Sequence, residues 1–245
     1  MYCPGNKQAI IYFEQGPVTL TLDQSYLEDQ DTAREQAASL LDNAGVDYTF
    51  FEPTSFTAEL IPDIPPNWSL MACPRVISED YRRIGLGRIG PKVREIVKAA
   101  RFSVFIPCGA YKPWQSVSAF FGGSKVGLRA VQLARDIADR AEVPMTVFTQ
   151  LNDREHARRC RDVLEESGEL AAIEHTPGWE WVSFETGTLK SNLMRVPHDS
   201  LAVVGAAGDS LIRELIFGSK LELIQSTLPN PILVVGPNAD RRLLW

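Results

Sequence analysis

Leu201–Pro237 reads LAVVGAAGDSLIRELIFGSKLELIQSTLPNPILVVGP. Two apolar runs, Leu201–Val204 and Ile232–Val235, bracket a segment of helical periodicity. Gly205 and Gly208 fall where the first run ends, and Gly218-Ser219 one helical stretch later. A buried strand that opens through a glycine turn into a helix presents bare N–H groups and the positive end of a helix dipole, and so can seat a phosphate. In that reading Gly205 ends the strand with freedom to take a positive φ, and Gly208 lets the backbone approach a ligand with no Cβ in the way. Ser219 has a hydroxyl to donate to a phosphate oxygen, and Lys220 an ammonium to offset phosphate charge. A plain strand–turn–helix–strand corner, with Gly218 as a helix stop, accounts for the same glycines.

The spacing Gly205-x2-Gly208-x9-Gly218-Ser219, followed by a helix and the strand PILVVGP, resembles the universal stress protein family. Many members of that family bind ATP or AMP at a G-x2-G-x9-G-S/T motif. Upstream, KPWQSVSAFFGGSKVGLRAV (residues 112–131) resembles the opening of such a domain, where a strand meets D-G-S and a helix. The resemblance implies that the backbone near Phe121 and Gly122 borders a ribose. It also implies that Gly205, Gly208, Gly218, Ser219 and Lys220 surround the phosphates. The aspartate that touches the ribose in nucleotide-binding members falls on Gly122 here. Losing a carboxylate that accepts two hydroxyls costs about 1–3 kcal/mol of binding.

Outward from that stretch, strands and helices alternate, which predicts parallel β-α-β units with right-handed crossovers. In the second half the expected strands are Val117–Phe121, Met145–Thr149 and Trp181–Phe184; the expected helices are Val126–Arg140 behind a Ser124 cap, Asp153–Ser167 closed by Gly168, and Leu189–Val196. In the first half, Ala9–Phe13, Val18–Leu22, Val46–Phe51 and Trp68–Ala72 read as strands. A helix capped at Asp31 or Thr32 carries Ala33, Ala37, Leu40, Leu41 and Ala44 on one face and stops at Gly45. Pro91–Ala100 is a helix with Val93, Ile96, Val97 and Ala100 as its buried stripe, and Phe102–Ile106 a strand.

Trp68–Pro107 and Ser200–Pro237 each run strand, loop, helix, strand, proline, with Gly90-Pro91 standing where Gly218-Ser219 stands. The chain therefore reads as an α/β protein of two tandem universal-stress-like (adenine nucleotide alpha hydrolase-like) units, each a mostly parallel sheet flanked by helices. Residues 1–110 form a degenerate copy and residues 115–245 the copy with the motif. The first copy has Cys73-Pro74 where glycines would cradle phosphate, so nucleotide is expected in the second copy alone. Family members often pair their last strands across a dimer; here Phe102–Ile106 and Ile232–Val235 are expected to pair antiparallel within one chain, making a pseudo-dimer that can associate further as a homodimer.

At 245 residues the chain has material for one large or two small domains. A net charge of −6 argues against a broad nucleic-acid footprint, and no apolar run reaches the ~20 residues that span a bilayer. Cys3, Cys73, Cys108 and Cys160 are scattered without CxxC spacing, and the opening MYCPGNKQ lacks a leader pattern; a cytoplasmic protein with reduced thiols is expected. His156, His175 and His198 show no metal-ligand spacing. No G-x-S-x-G, H-E-x-x-H or full P-loop occurs, and Gly122-Gly123-Ser124-Lys125 is too short for one. Two readings stay open: a non-catalytic stress-response protein that binds ATP or AMP without metal, or an interaction module of the same fold that binds none. An enzyme of a related nucleotide-binding α/β class is disfavoured, because no catalytic constellation appears.

Overall fold

The computed structural model describes residues 8–13, 16–21, 30–50, 69–73, 75, 89–108, 113–151, 153–206 and 230–239. The chain divides into two compact units, residues 1–60 with 78–84, and residues 61–77 with 85–245.

In the first unit, β1 (Gln8–Phe13) and β2 (Gly16–Thr21) pair antiparallel; Gly16 and Pro17, which the sequence places between the two runs, open β2 opposite Phe13 and Tyr12. Helix α1 (Gln30–Asn43) begins one residue before the expected cap at Asp31 and ends ahead of Gly45 at φ 64°. Its expected apolar face is not a core stripe: Leu40 is 65% exposed and Ala44 is exposed. The strand expected at Val46–Phe51 is absent over residues 46–50. Tyr48 and Phe50 meet edge to face at 5.3 Å and Arg34 lies over Phe50, so the segment is organised by local side-chain contacts and has no strand neighbour among the described residues.

The second unit is a seven-stranded sheet. Its strands are β3 (Leu70–Ala72), β4 (Ser103–Ile106), β5 (Ser116–Phe120), β6 (Met145–Gln150), β7 (Trp179–Phe184), β8 (Ser200–Gly205) and β9 (Ile232–Val235), in the order β3-β4-β9-β8-β5-β6-β7. All neighbours are parallel except β4 and β9. β8 is buried at every residue, which is why it reads as an unbroken apolar run rather than an alternation.

Helices cover both faces. On one side α2 (Pro91–Ala99) and α6 (Leu189–Leu193) pack Val93, Ile96, Val97 and Leu193 against Phe120 and Phe148. On the other, α3 (Lys125–Ala141), α4 (Arg154–Glu166) and α5 (Glu169–His175) bury Leu133, Ile137, Leu164 and Ile173. α5 is not foreseen in the sequence, where Gly168 closes the preceding helix. The chain instead takes Gly168 at φ 77° and starts a new helix at once. The Glu169 carboxylate, 2% exposed, is neutralised there by Arg135 of α3 at 2.9 Å.

Ser124 caps α3 as expected, its Oγ accepting from the Gly127 N–H at 3.0 Å. Replacing Ser124 with alanine should cost about 1 kcal/mol of stability, read as a lowered urea midpoint at constant m-value. Among the described residues no helix is long and apolar enough to cross a membrane, and no cluster of His, Cys, Asp or Glu could hold a metal ion.

Candidate functional site

Strand order reverses between β5 and β8: the chain proceeds from β5 to β6 and β7 on one side, and from β8 to β9 on the other. The crevice outside the carboxyl ends of two such strands is where ligands bind in open α/β sheets. β5 and β8 run in register, with Phe120 opposite Val204, so the turns beginning at Phe121 and Gly205 emerge side by side. Of the expected site residues, Phe121, Gly122 and Gly205 are therefore brought together. Gly208, Gly218, Ser219 and Lys220 lie outside the described residues.

Each member of the described half has a specific physical role. Phe121 is 1% exposed and belongs to the core beneath α3, so only its backbone borders the rim. Gly205 is not among the residues with positive φ, against the expectation for it. A Cβ there would lie 3.0 Å from the Val126 carbonyl carbon and oxygen and 3.1 Å from the Gly127 nitrogen. Gly205 is thus required for the close seating of the first turn of α3 against the end of β8, as a packing glycine. Gly123 is the residue that does take the left-handed conformation, at φ 79°.

Behind this turn, His156 is 6% exposed and its Nε2 lies 3.2 Å from the Gly122 carbonyl oxygen. Its backbone N–H donates to Asp153 Oδ1 at 2.7 Å, where Asp153 caps α4. The sequence shows only that His156 has no metal-ligand spacing. The fold makes it the strut that fixes the Gly122 carbonyl, and no local pattern signals that. Arg159, one turn further along α4, crosses the same loop: its Nε would lie 3.5 Å from a Cβ built on Gly123.

The arginines Arg158 and Arg161 pair with Asp162 and Glu165 on a solvated face, and Arg161 also lies over the Trp181 ring. Burial pushes the Cys73 and Cys160 thiols up to about 11, so both stay protonated at neutral pH and act as packing groups.

The expected pairing of the last strands is present. β4 and β9 run antiparallel, with Phe105 opposite Leu233 and Ile106 opposite Ile232. Two strand ends in the sheet share a register. The Cys73 N–H donates to the Phe105 carbonyl at 2.9 Å, and the Ala206 N–H to the Val235 carbonyl at 2.8 Å. Met71 pairs with Val104 as Val204 pairs with Val234. Val104 and Val234 face each other across the β4–β9 pair.

Arg75 follows β3, two residues beyond Cys73. Its side chain is 7% exposed. Nε donates to the Pro107 carbonyl at 3.2 Å and Nη2 to the Asn230 carbonyl. Burial lowers the pKa of its guanidinium, which nonetheless remains charged. The Arg75 carbonyl in turn accepts from the Gly90 N–H at 2.7 Å, where α2 begins. Arg75 Nε and Nη2 and the Gly90 N–H are thus all engaged by the protein's own carbonyls.

No family model and no curated protein matches the sequence. Among solved structures, the chain is similar to a protein of Pseudomonas aeruginosa UCBPP-PA14 assigned to the universal stress proteins. Identity is 17% and the TM-score 0.56, covering 86% of this chain and 79% of that one. It is similar also to a universal stress protein of Archaeoglobus fulgidus DSM 4304, at 18% identity and a TM-score of 0.52 over 89% and 80%. The cytoplasmic domain of a prokaryotic cation chloride cotransporter matches at 12% identity and a TM-score of 0.50, over 88% and 84%.

Proposed function

We propose that this chain, whose fold is that of the universal stress proteins, is a non-catalytic, cytoplasmic stress-response protein that binds one adenine nucleotide, ATP or AMP, in its second copy. The observation that carries the reading is the adjacency of the Phe121 and Gly205 turns at the point where strand order reverses. The glycine spacing that continues from Gly205 through Gly208, Gly218 and Ser219 supplies the phosphate seat, with Lys220 beside it. Residues 1–110 and 115–245 are two copies, and the first supports the second as an intrachain pseudo-dimer. The antiparallel β4–β9 pair, with Val104 opposite Val234, supports that relation, and the engagement of Arg75 by the Pro107 and Asn230 carbonyls supports confining nucleotide to the second copy.

Mass spectrometry of the purified, gently denatured protein should release an adenine nucleotide, and titration calorimetry of nucleotide-free protein should give one site per chain. Replacing Gly208 with valine should abolish that binding with the melting temperature unchanged; unaltered affinity would remove Gly208 from the site. The loss of a ribose-binding carboxylate at Gly122 favours a second reading, an interaction module without nucleotide. Absence of heat with folded protein at high micromolar ATP and AMP would establish it.

A further inference from the structure

Ribose hydroxyls at the reversal point of such sheets are commonly taken by a carboxylate, and an arginine nearby instead accommodates a phosphate carried on the ribose. The loop after β5, Phe121-Gly122-Gly123-Ser124-Lys125, contains no carboxylate. The acid at the start of α4, Asp153, has its Oδ1 engaged by the His156 N–H. Arg159 lies across this loop, with its Cγ and Nε 3.8 and 3.5 Å from where a Cβ on Gly123 would be. Its side chain is exposed at the rim, and among the described residues no carboxylate stands within salt-bridge distance of it. Gly123 takes the left-handed conformation at φ 79°, and Arg159 Nε passes at van der Waals distance from its Cβ position. The Cys160 Sγ, 3.2 Å from the same Cβ position, closes the other side.

We infer that the crevice prefers an adenine nucleotide bearing a second phosphate on its ribose, at the 2′ or 3′ position, and that Arg159 is the residue that selects it. This rests on the nucleotide reading above. Arginine suits the task because its planar fork matches phosphate oxygens two at a time and keeps its charge at any physiological pH. With glycine at 122, this loop offers neither the hydroxyl acceptor nor the negative charge that would repel a ribose phosphate.

The test is titration calorimetry of the full chain with three probes: AMP, adenosine 2′,5′-bisphosphate and adenosine 3′,5′-bisphosphate. One bisphosphate should bind about tenfold or more tightly than AMP, as expected for one charge-assisted contact, with a steeper loss of affinity on adding salt. The two bisphosphates together identify which ribose oxygen carries the phosphate. In Arg159→Gln, with its melting curve checked against the parent, the preference should collapse to a ratio near one. Equal affinity of the parent for all three would overturn the inference and leave the nucleotide reading standing. A preference that survives Arg159→Gln would overturn the role of Arg159. No binding of any probe would overturn both.

Discussion

Replacing Gly236 with alanine is expected to destabilise the second unit by about 3 kcal/mol or more, at the upper end of what overpacking costs. A Cβ at 236 would fall on the Phe102 and Arg101 carbonyl oxygens and within 2.6 Å of the Arg101 carbonyl carbon. These are backbone atoms, so no rotamer change relieves the overlap. The segment they belong to leads directly into β4, and the Asn238 N–H donates to the Arg101 carbonyl at 2.8 Å just beyond the glycine. The strand end must therefore move away from β4 and take the β4–β9 pairing with it. For a chain of this size the loss corresponds to a fall in melting temperature of roughly 6–12 °C. A Gly236→Ala protein that melts within a degree of the parent would show that the two halves are not held by this approach.

Replacing Arg75 with alanine is the second large effect. The change removes the donor to two carbonyls, those of Pro107 and Asn230, at a position 7% exposed. Leaving a buried acceptor without its partner costs about 1–3 kcal/mol, so roughly 2–6 kcal/mol is expected for the two. The loss spreads because Asn230 is itself a junction. Its Nδ2 donates to the Pro197 and Ser200 carbonyls, each at 2.8 Å, and Ser200 Oγ meets Ser118 Oγ at 2.8 Å. Arg75→Lys keeps the charge but not the fork, and should recover only part of the stability. Urea unfolding followed by tryptophan fluorescence reads the order parent, lysine, alanine. A lysine variant as stable as the parent would mean that charge alone, without the two-carbonyl geometry, is what the site requires.

Both substitutions act beside the β4–β9 pair, and a packing glycine and a buried arginine have no local signature. Gly236 is one glycine among 17, and Arg75 one arginine in a stretch that also holds Arg82, Arg83 and Arg88. The same limit explains the misreadings elsewhere. Periodicity predicts a core stripe on α1, yet Leu40 is largely exposed, because periodicity reports which side chains share a face and not what that face meets. α5 goes unread because Gly168 looks like a helix stop, whereas at φ 77° it turns the chain straight into a second helix whose buried Glu169 is neutralised by Arg135.

Some features are decided by the chain alone. The apolar run of β8, the serine cap of α3 and the buried stripe of α2 follow from side-chain chemistry within a few residues, and the structure places each as the sequence reads. The repeat of strand, helix, strand and proline also belongs to the sequence, since it needs no knowledge of neighbours. What only the tertiary structure decides is anything set by an approach from a distant segment. Gly205 serves a helix contact rather than a backbone twist, His156 holds the Gly122 carbonyl, and Arg75 donates to the carbonyls of Pro107 and Asn230. Local sequence specifies conformational preference and polarity, whereas burial and partnership exist only once the sheet brings remote residues within a few ångströms of one another.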